Sequence, residues 1–177
     1  MKKLFLIFLL LNCVLLSAQN TEPVKYSEVV KVDSTLSAKT LYSNAKIWFV
    51  NSFKNSKEVI VLDDSENKMI LGKANMKFNS NIFVGSGARE GWISFDISIA
   101  CKDGRYKYDF TNFIHKGNSV NIGLITTDEI LPALPGPTNH KIKVSKEVRE
   151  VINSKILPLI DQLKKTMNKN VSTKEDW

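Results

Sequence analysis

WISFDISIACKDGRYKYDFTNFIH, residues 92–115, reads as two strands and the turn that joins them. Ile93, Phe95, Ile97, Ile99 and Cys101 alternate strictly with Trp92, Ser94, Asp96, Ser98 and Ala100. Successive side chains of a strand point to opposite faces, so this is a strand with one buried and one wet face. Asp103-Gly104 is a two-residue hairpin turn signal. The return strand then sets Tyr106 opposite Cys101, Tyr108 opposite Ile99 and Phe110 opposite Ile97. Beyond Phe110 the phase slips, because Phe113 is the next core candidate, and a bulge near Thr111-Asn112 accounts for it.

Working outward, residues 68–78 form another strand, with Ile70, Ala74, Met76 and Phe78 on one face and Met69, Lys73, Asn75 and Lys77 on the other. Gly72 marks a bulge or a close backbone approach. Val59-Ile60-Val61-Leu62 is a continuous β-branched run and predicts a well-buried strand, followed by a turn over residues 63–67. Residues 79–91 read as a loop, mobile around Gly85-Ser86-Gly87. From Ala38 to about Lys54 the spacing is helical: Leu41, Tyr42, Ala45, Trp48, Phe49 and Phe53 make one apolar stripe, and Ser37 is placed to cap it. Residues 28–32 make a short first strand. On the C-terminal side, residues 116–144, with Pro132, Pro135 and Pro137, form an irregular excursion that folds against the sheet or hangs free. Ser145 caps a last helix running to Met167, which Pro158 kinks or splits into two. The fold class is therefore α+β: a single antiparallel sheet with two helices on one face, in the order β-α-β-β-β-β-α.

The first eighteen residues, MKKLFLIFLLLNCVLLSA, have a charged start, an apolar stretch from Leu4 to Leu16 broken by Asn12, and a small-residue end. That is the pattern of a secretory signal peptide and is too short for a membrane span, which needs about 20 apolar residues. It divides the chain into a signal peptide (1–18), a linker (19–27), one α+β domain (28–168) and a polar tail (169–177). A lipoprotein acylated at Cys13 is disfavoured by Asn12 before it and Val14-Leu15-Leu16 after it. Cleavage after Ala18 would remove Lys2 and Lys3 and lower the formal charge from +7 to +5, a modest excess that reads as solubility rather than a nucleic-acid footprint. It leaves one cysteine, Cys101, so no intramolecular disulfide is available. A domain of roughly 150 residues needs none, because it can bury about 70% of its unfolded surface.

EVVKVDSTLSAKTLYSNAKIWF, VIVLDD, MILGKANMKF, the 92–115 hairpin and the closing VREVINSKILPLIDQLKK together resemble a family of domains of unknown function with a TATA-box-binding-protein-like (TBP-like) fold, common in exported proteins of Bacteroidota. The resemblance implies that fold and an exported location. It implies no activity and brings no site residues. DNA binding does not follow from the name, since the DNA-binding saddle is built of two such units with aromatic wedges in the minor groove, and this chain has room for one.

No constellation of reactive residues stands out. His115 and His140 lie far apart, and no metal-ligand spacing is present, so no metal and no cofactor is expected. His115, at a strand end, reads as an ordinary surface residue. Cys101 falls in the apolar series and reads as a buried, inert thiol rather than a nucleophile. Asp63, Asp64 and Glu66 form a solvated turn, and Gly85-Ser86-Gly87 lacks the strand-to-helix context of a phosphate loop.

The candidate site is the second face of the sheet, with Lys73, Trp92, Asp96, Ser98, Asp109 and Thr111 as ligand-binding candidates. Such faces also commonly stay merely solvated. The reading is an exported, non-enzymatic module that binds a peptide, protein, glycan or lipid of the envelope or exterior, through this face or the Pro-rich segment. It neither binds nucleic acid nor spans a membrane. The alternative is an enzyme using Asp96 and Asp109 with Lys107 for acid–base chemistry.

Overall fold

The computed structural model describes residues 21–169. The proposed signal peptide, its cleavage site and most of the polar tail lie outside the described residues. In chain order the elements are β1 (Tyr26–Lys31), α1 (Ala38–Ser52), α2 (Ser56–Val59), β2 (Ile60–Asp64), β3 (Met69–Phe78), α3 (Ser86–Arg89), β4 (Gly91–Lys102), β5 (Arg105–Gly117), β6 (Gly123–Leu124) and α4 (Thr138–Met167). The sheet is antiparallel in every pairing, in the order β1-β5-β4-β3-β2, with β6 also on β5.

The β4–β5 register matches the sequence pattern: Cys101 faces Tyr106, Ile99 faces Tyr108 and Ile97 faces Phe110. The phase slip is a bulge between Ser94 and Asp96, absorbed on β5 by Asn112 at φ 56°. Asparagine tolerates this left-handed conformation better than most residues, and its Nδ2 donates to Asp96 Oδ2 at 2.7 Å. The bulge returns Phe113 to the core, where it stacks on Phe95 with ring centroids 5.5 Å apart. In the hairpin turn only Gly104 has positive φ. Asp103 keeps an ordinary φ, and its carboxylate accepts from Ala38 N at 2.7 Å, at the start of α1.

Both long helices cover the same face. Leu41, Tyr42, Ala45, Trp48 and Phe49 of α1 and Ile152, Ile156, Ile160 and Leu163 of α4 are buried in one core with the inward residues of the sheet. Each buried leucine, isoleucine or phenylalanine among them stabilises by about 1.5–3 kcal/mol relative to exposure. Ser37 caps α1 by accepting from Thr40 N. Trp48 Nε1 donates to the carbonyl of Leu159, joining the helices. Each edge strand is tied to a helix by a carboxylate. On β1, Glu28 accepts from Tyr108 Oη and from Lys164 of α4, at 2.8 and 2.7 Å. On β2, Asp63 accepts from Tyr42 Oη and, at 2.6 Å, from Lys46 of α1. These bonds hold both carboxyls below the usual range, chiefly through the lysines.

Several local expectations change. The β-branched run is not a buried strand: Val59 ends α2, and Ile60–Asp64 is the sheet edge, with Val61 63% exposed. An edge strand is covered on one face only, so a continuous apolar run is no proof of burial. Residues 22–24 are not a linker, since Val24 N donates to Ile125 O and Thr127 N to Glu22 O. The 116–144 excursion folds inward, burying Ile122, Ile125, Leu131 and Leu134 and adding a sixth strand. The loop over 79–91 contains α3. The last helix starts at Thr138, seven residues before Ser145, and runs unsplit through Pro158. Ser145 is not its cap: it lies buried, and its hydroxyl accepts from Leu131 N at 2.9 Å. The polar first turn Thr138-Asn139-His140 carries no apolar stripe, which hid this helix start.

Gly72 marks close approach. A Cβ there would lie 2.8 Å from Phe49 Cε1 and 3.4 Å from Val59 Cγ1. We expect Gly72→Ala to destabilise the domain by about 1–3 kcal/mol through overpacking, although alanine is the better strand former. Denaturant unfolding checks this, and an unchanged midpoint would mean that α1 sits farther from β3.

Candidate functional site: the open face of the sheet

The register sorts the uncovered face into rows across the strands. Lys77, Trp92 and Lys116 share the first row. Asn75, Ser94, Ile114 and Leu124 share the second, and Lys73, Asp96 and Thr111 the third. Leu71, Ser98, Asp109 and Ser27 follow, then Met69, Ala100, Lys107 and Val29. Lys102, Arg105 and Lys31 close the face at the hairpin end.

Lys73, Asp96, Ser98 and Thr111 line one groove of about 320 Å³, with Val61 and Leu71 at its β2 side. Asp109 lies in the adjoining row opposite Ser98. Trp92, 56% exposed, stands two rows from Asp96 and does not join the groove. A second groove of about 440 Å³ lies at the hairpin end, with Val29 and Ala100 among its apolar lining and Lys102, Arg105 and Lys107 among its cations.

The two carboxylates proposed for acid–base work are already engaged. Asp96 accepts from Asn112 and faces Lys73 Nζ at 3.5 Å. Asp109 accepts from Ser27 Oγ at 2.5 Å and from Lys107 Nζ at 3.0 Å. They sit on a diagonal of the β4–β5 ladder, where Cα atoms are about 7–8 Å apart. Each is paired with its own lysine on an open surface.

The sequence reading missed the basic residues of this face. Lys31, Lys77, Lys102, Arg105 and Lys116 fall in phase with the residues it named, and none forms an ion pair among the described residues. The alternation was signal enough. Read along the chain the cations looked scattered; the register gathers them.

Cys101 is buried, as its place in the apolar series requires, and burial pushes its thiol pKa up to about 12. His115 is a correction: it is not a surface residue but almost fully buried. Its Nδ1 accepts from Ile122 N at 3.2 Å, so Nε2 carries the proton and donates to the Arg89 carbonyl at 2.8 Å. Its ring packs edge-on against Phe78. Position at a strand end misled the reading, because the excursion and α3 cover that end. Arg89, itself 4% exposed, donates to the carbonyls of Val84 and Ile82 and to Ser80 Oγ, and meets His140 Nε2 at 3.3 Å. A third groove, of about 420 Å³, lies between this loop and Pro135–Pro137. Arg89 lines it, with its two terminal nitrogens engaged in tying down the loop. Among the described residues there is no cluster of His, Cys, Asp and Glu that could hold a metal ion, and no helix is long and apolar enough to cross a membrane.

A six-stranded antiparallel sheet with both long helices on one face and a bare second face defines a TBP-like α+β domain. The chain belongs to the DUF4468 family, described as a domain of unknown function with TBP-like fold, whose sequence profile matches residues 26–116. The chain is similar in structure to a TBP-like protein from Parabacteroides distasonis, with a TM-score of 0.54 and 10% identity over 80% of this chain and 93% of that one. It is also similar to a DUF4468 family protein from Bacteroides ovatus, with a TM-score of 0.53 and 14% identity over 80% of this chain and 86% of that one. At these identities the likeness shows the fold alone. No curated protein matches the chain.

Burial, helped by the charge of Arg89, lowers the pKa of His115 and outweighs the hydrogen bond to the Arg89 carbonyl. The unfolded histidine, with a pKa of about 6.5, takes up a proton first, so its contribution to stability is complete above that pH and is lost as pH falls through the lower folded value. We expect the melting temperature to fall below pH 6.5. His115→Gln should be less stable at pH 7.5 by about 1–3 kcal/mol, the cost of disturbing buried hydrogen bonds, and should show a shallower slope between pH 6.5 and 5.5. Parallel slopes would contradict the buried neutral imidazole.

Proposed function

We propose that this protein is an exported, non-enzymatic interaction module that engages a partner in the envelope or outside the cell through its open sheet face. The observation that carries the reading is the division of labour across the sheet. The residues of one face build the core, while Lys73, Trp92, Asp96, Ser98, Asp109 and Thr111 stand on the other, outside the core cluster. A face that folding does not need is free to be specified by a partner. The lysine–aspartate pairs there fix the directions of polar groups, which favours recognition over catalysis. The N-terminal pattern of residues 1–18 supports export, and export removes the chain from nucleic acid. The Pro-rich segment has a structural task, since its Leu134 and the adjoining Leu131 are buried in the core, so the sheet face is the stronger candidate.

A C-terminally tagged chain, expressed in its own host, tests both halves. Its mature N-terminus should lie at or near Gln19, in the envelope or secreted fraction. Partner capture should drop at least tenfold with Lys73→Glu and with Trp92→Ala, while the melting temperature stays within the range of surface substitutions, about ±0.5 kcal/mol in stability for the lysine. An intact leader on cytoplasmic protein would contradict export. Undiminished capture by both folded variants would contradict the sheet face.

A further inference from the structure

We propose that the partner of this face is an acidic polysaccharide, lying along β4 and held by cations at both ends of the sheet. This rests on the sheet face being the binding surface and names the class of ligand it takes.

Of the carboxylates on the face, Asp96 and Asp109 are each held by a lysine, and Asp64 turns back to accept from Asn67 and Glu66 N in the β2–β3 turn. The five cations of the face that form no ion pair among the described residues stand in two groups, Lys77 with Lys116 at one end and Lys31, Lys102 and Arg105 at the other. Trp92 and Lys102 mark the two ends on β4, ten residues apart, and at about 3.3 Å per residue they are roughly 33 Å apart. A small anion reaches one group only. A polyanion of sufficient length reaches both, and neutralising several exposed cations at once is what makes such an arrangement worth more than any single surface pair.

The ground between the ends selects among polyanions. Small hydroxyl and amide side chains, Asn75, Ser94, Ser98, Thr111 and Ser27, run through it between apolar ones such as Ile114, Leu71, Met69 and Val29, with one groove in the middle and another toward the hairpin. The hydroxyl and amide side chains both donate and accept hydrogen bonds, as sugar hydroxyls do. Trp92 is flanked in its row by Lys77 and Lys116 and exposes more than half its surface. An indole so placed offers an apolar plate for the C–H face of a sugar ring, with a cation on each side for its carboxylate or sulfate. A bilayer would ask for a continuous apolar surface to sink into the headgroup region. Here the exposed apolar side chains fall in small separate groups, Ile114 with Leu124 on one side and Val61 with Leu62 on the β2 edge, with Lys73, Asp96 and Thr111 between them.

The test is direct binding of the mature protein to polygalacturonate, hyaluronate and heparin, with dextran as the neutral control. We expect at least one acidic polymer to bind at least tenfold more tightly than dextran, more weakly as salt rises, and at least tenfold more tightly than its own disaccharide. Lys102→Glu with Arg105→Glu should weaken binding at least tenfold and flatten the salt dependence. Trp92→Ala should weaken it while leaving the salt dependence intact. Equal binding to dextran, no advantage of length, or tighter binding to poly-glutamate or to phosphatidylglycerol vesicles than to all three polymers would overturn the proposal. If all three polymers fail while capture of an envelope partner still depends on Lys73 and Trp92, the ligand class is wrong and the face remains the site.

Discussion

Everything in this domain depends on the pairing register of β4 with β5. With a side-chain period of two, a slip of one residue would exchange the two faces and drive Ser94, Asp96 and Ser98 into the core. The register is held at three places. Gly104 turns the chain at the hairpin, the Ile99–Tyr108 and Ile97–Phe110 pairs fill the middle, and the Asn112 bulge resets the phase so that Phe113 also points inward. The helices then have only one apolar face to cover, and α1 and α4 both go there. The open face is thus a by-product of the same register that builds the core.

That coupling also explains the edges. β1 and β2 each expose one side of their backbone, and each is anchored to a helix through a tyrosine–carboxylate–lysine group, Tyr108 with Glu28 and Lys164, and Tyr42 with Asp63 and Lys46. Burial, helped by the hydrogen bond to Asp63, pushes the pKa of Tyr42 up to about 12. These exposed ion pairs add little stability singly, but they fix where each edge strand lies against the layer above it.

The parts of the fold legible in the sequence are those in which local pattern and tertiary environment agree. The alternation over residues 92–110, the α1 stripe and the β3 faces are cases in point, and Cys101 followed from the first of them. The pattern failed where burial comes from chain folding back over long distances. His115 is buried by residues 116–122 and by α3, which no periodicity announces. Ser145 looked like a cap because the real start of α4 is polar. Val61 looked buried because β-branched runs usually are, yet it lies on the edge. The face residues Lys73, Trp92, Asp96, Ser98, Asp109 and Thr111 were legible as one surface, but its charge was not, since Lys31, Lys77, Lys102, Arg105 and Lys116 become neighbours only through cross-strand pairing.

The central claim, that one register separates a covered apolar face from an open basic one, is tested most directly by cysteine scanning along β4. In a Cys101→Ala background, single cysteines at positions 94 to 100 are labelled in the native protein with a small charged thiol reagent. The account predicts a period of two, with fast labelling at 94, 96, 98 and 100 and labelling at 95, 97 and 99 that becomes fast only in denaturant. Fast labelling at every position, or an alternation of the opposite phase, would contradict it.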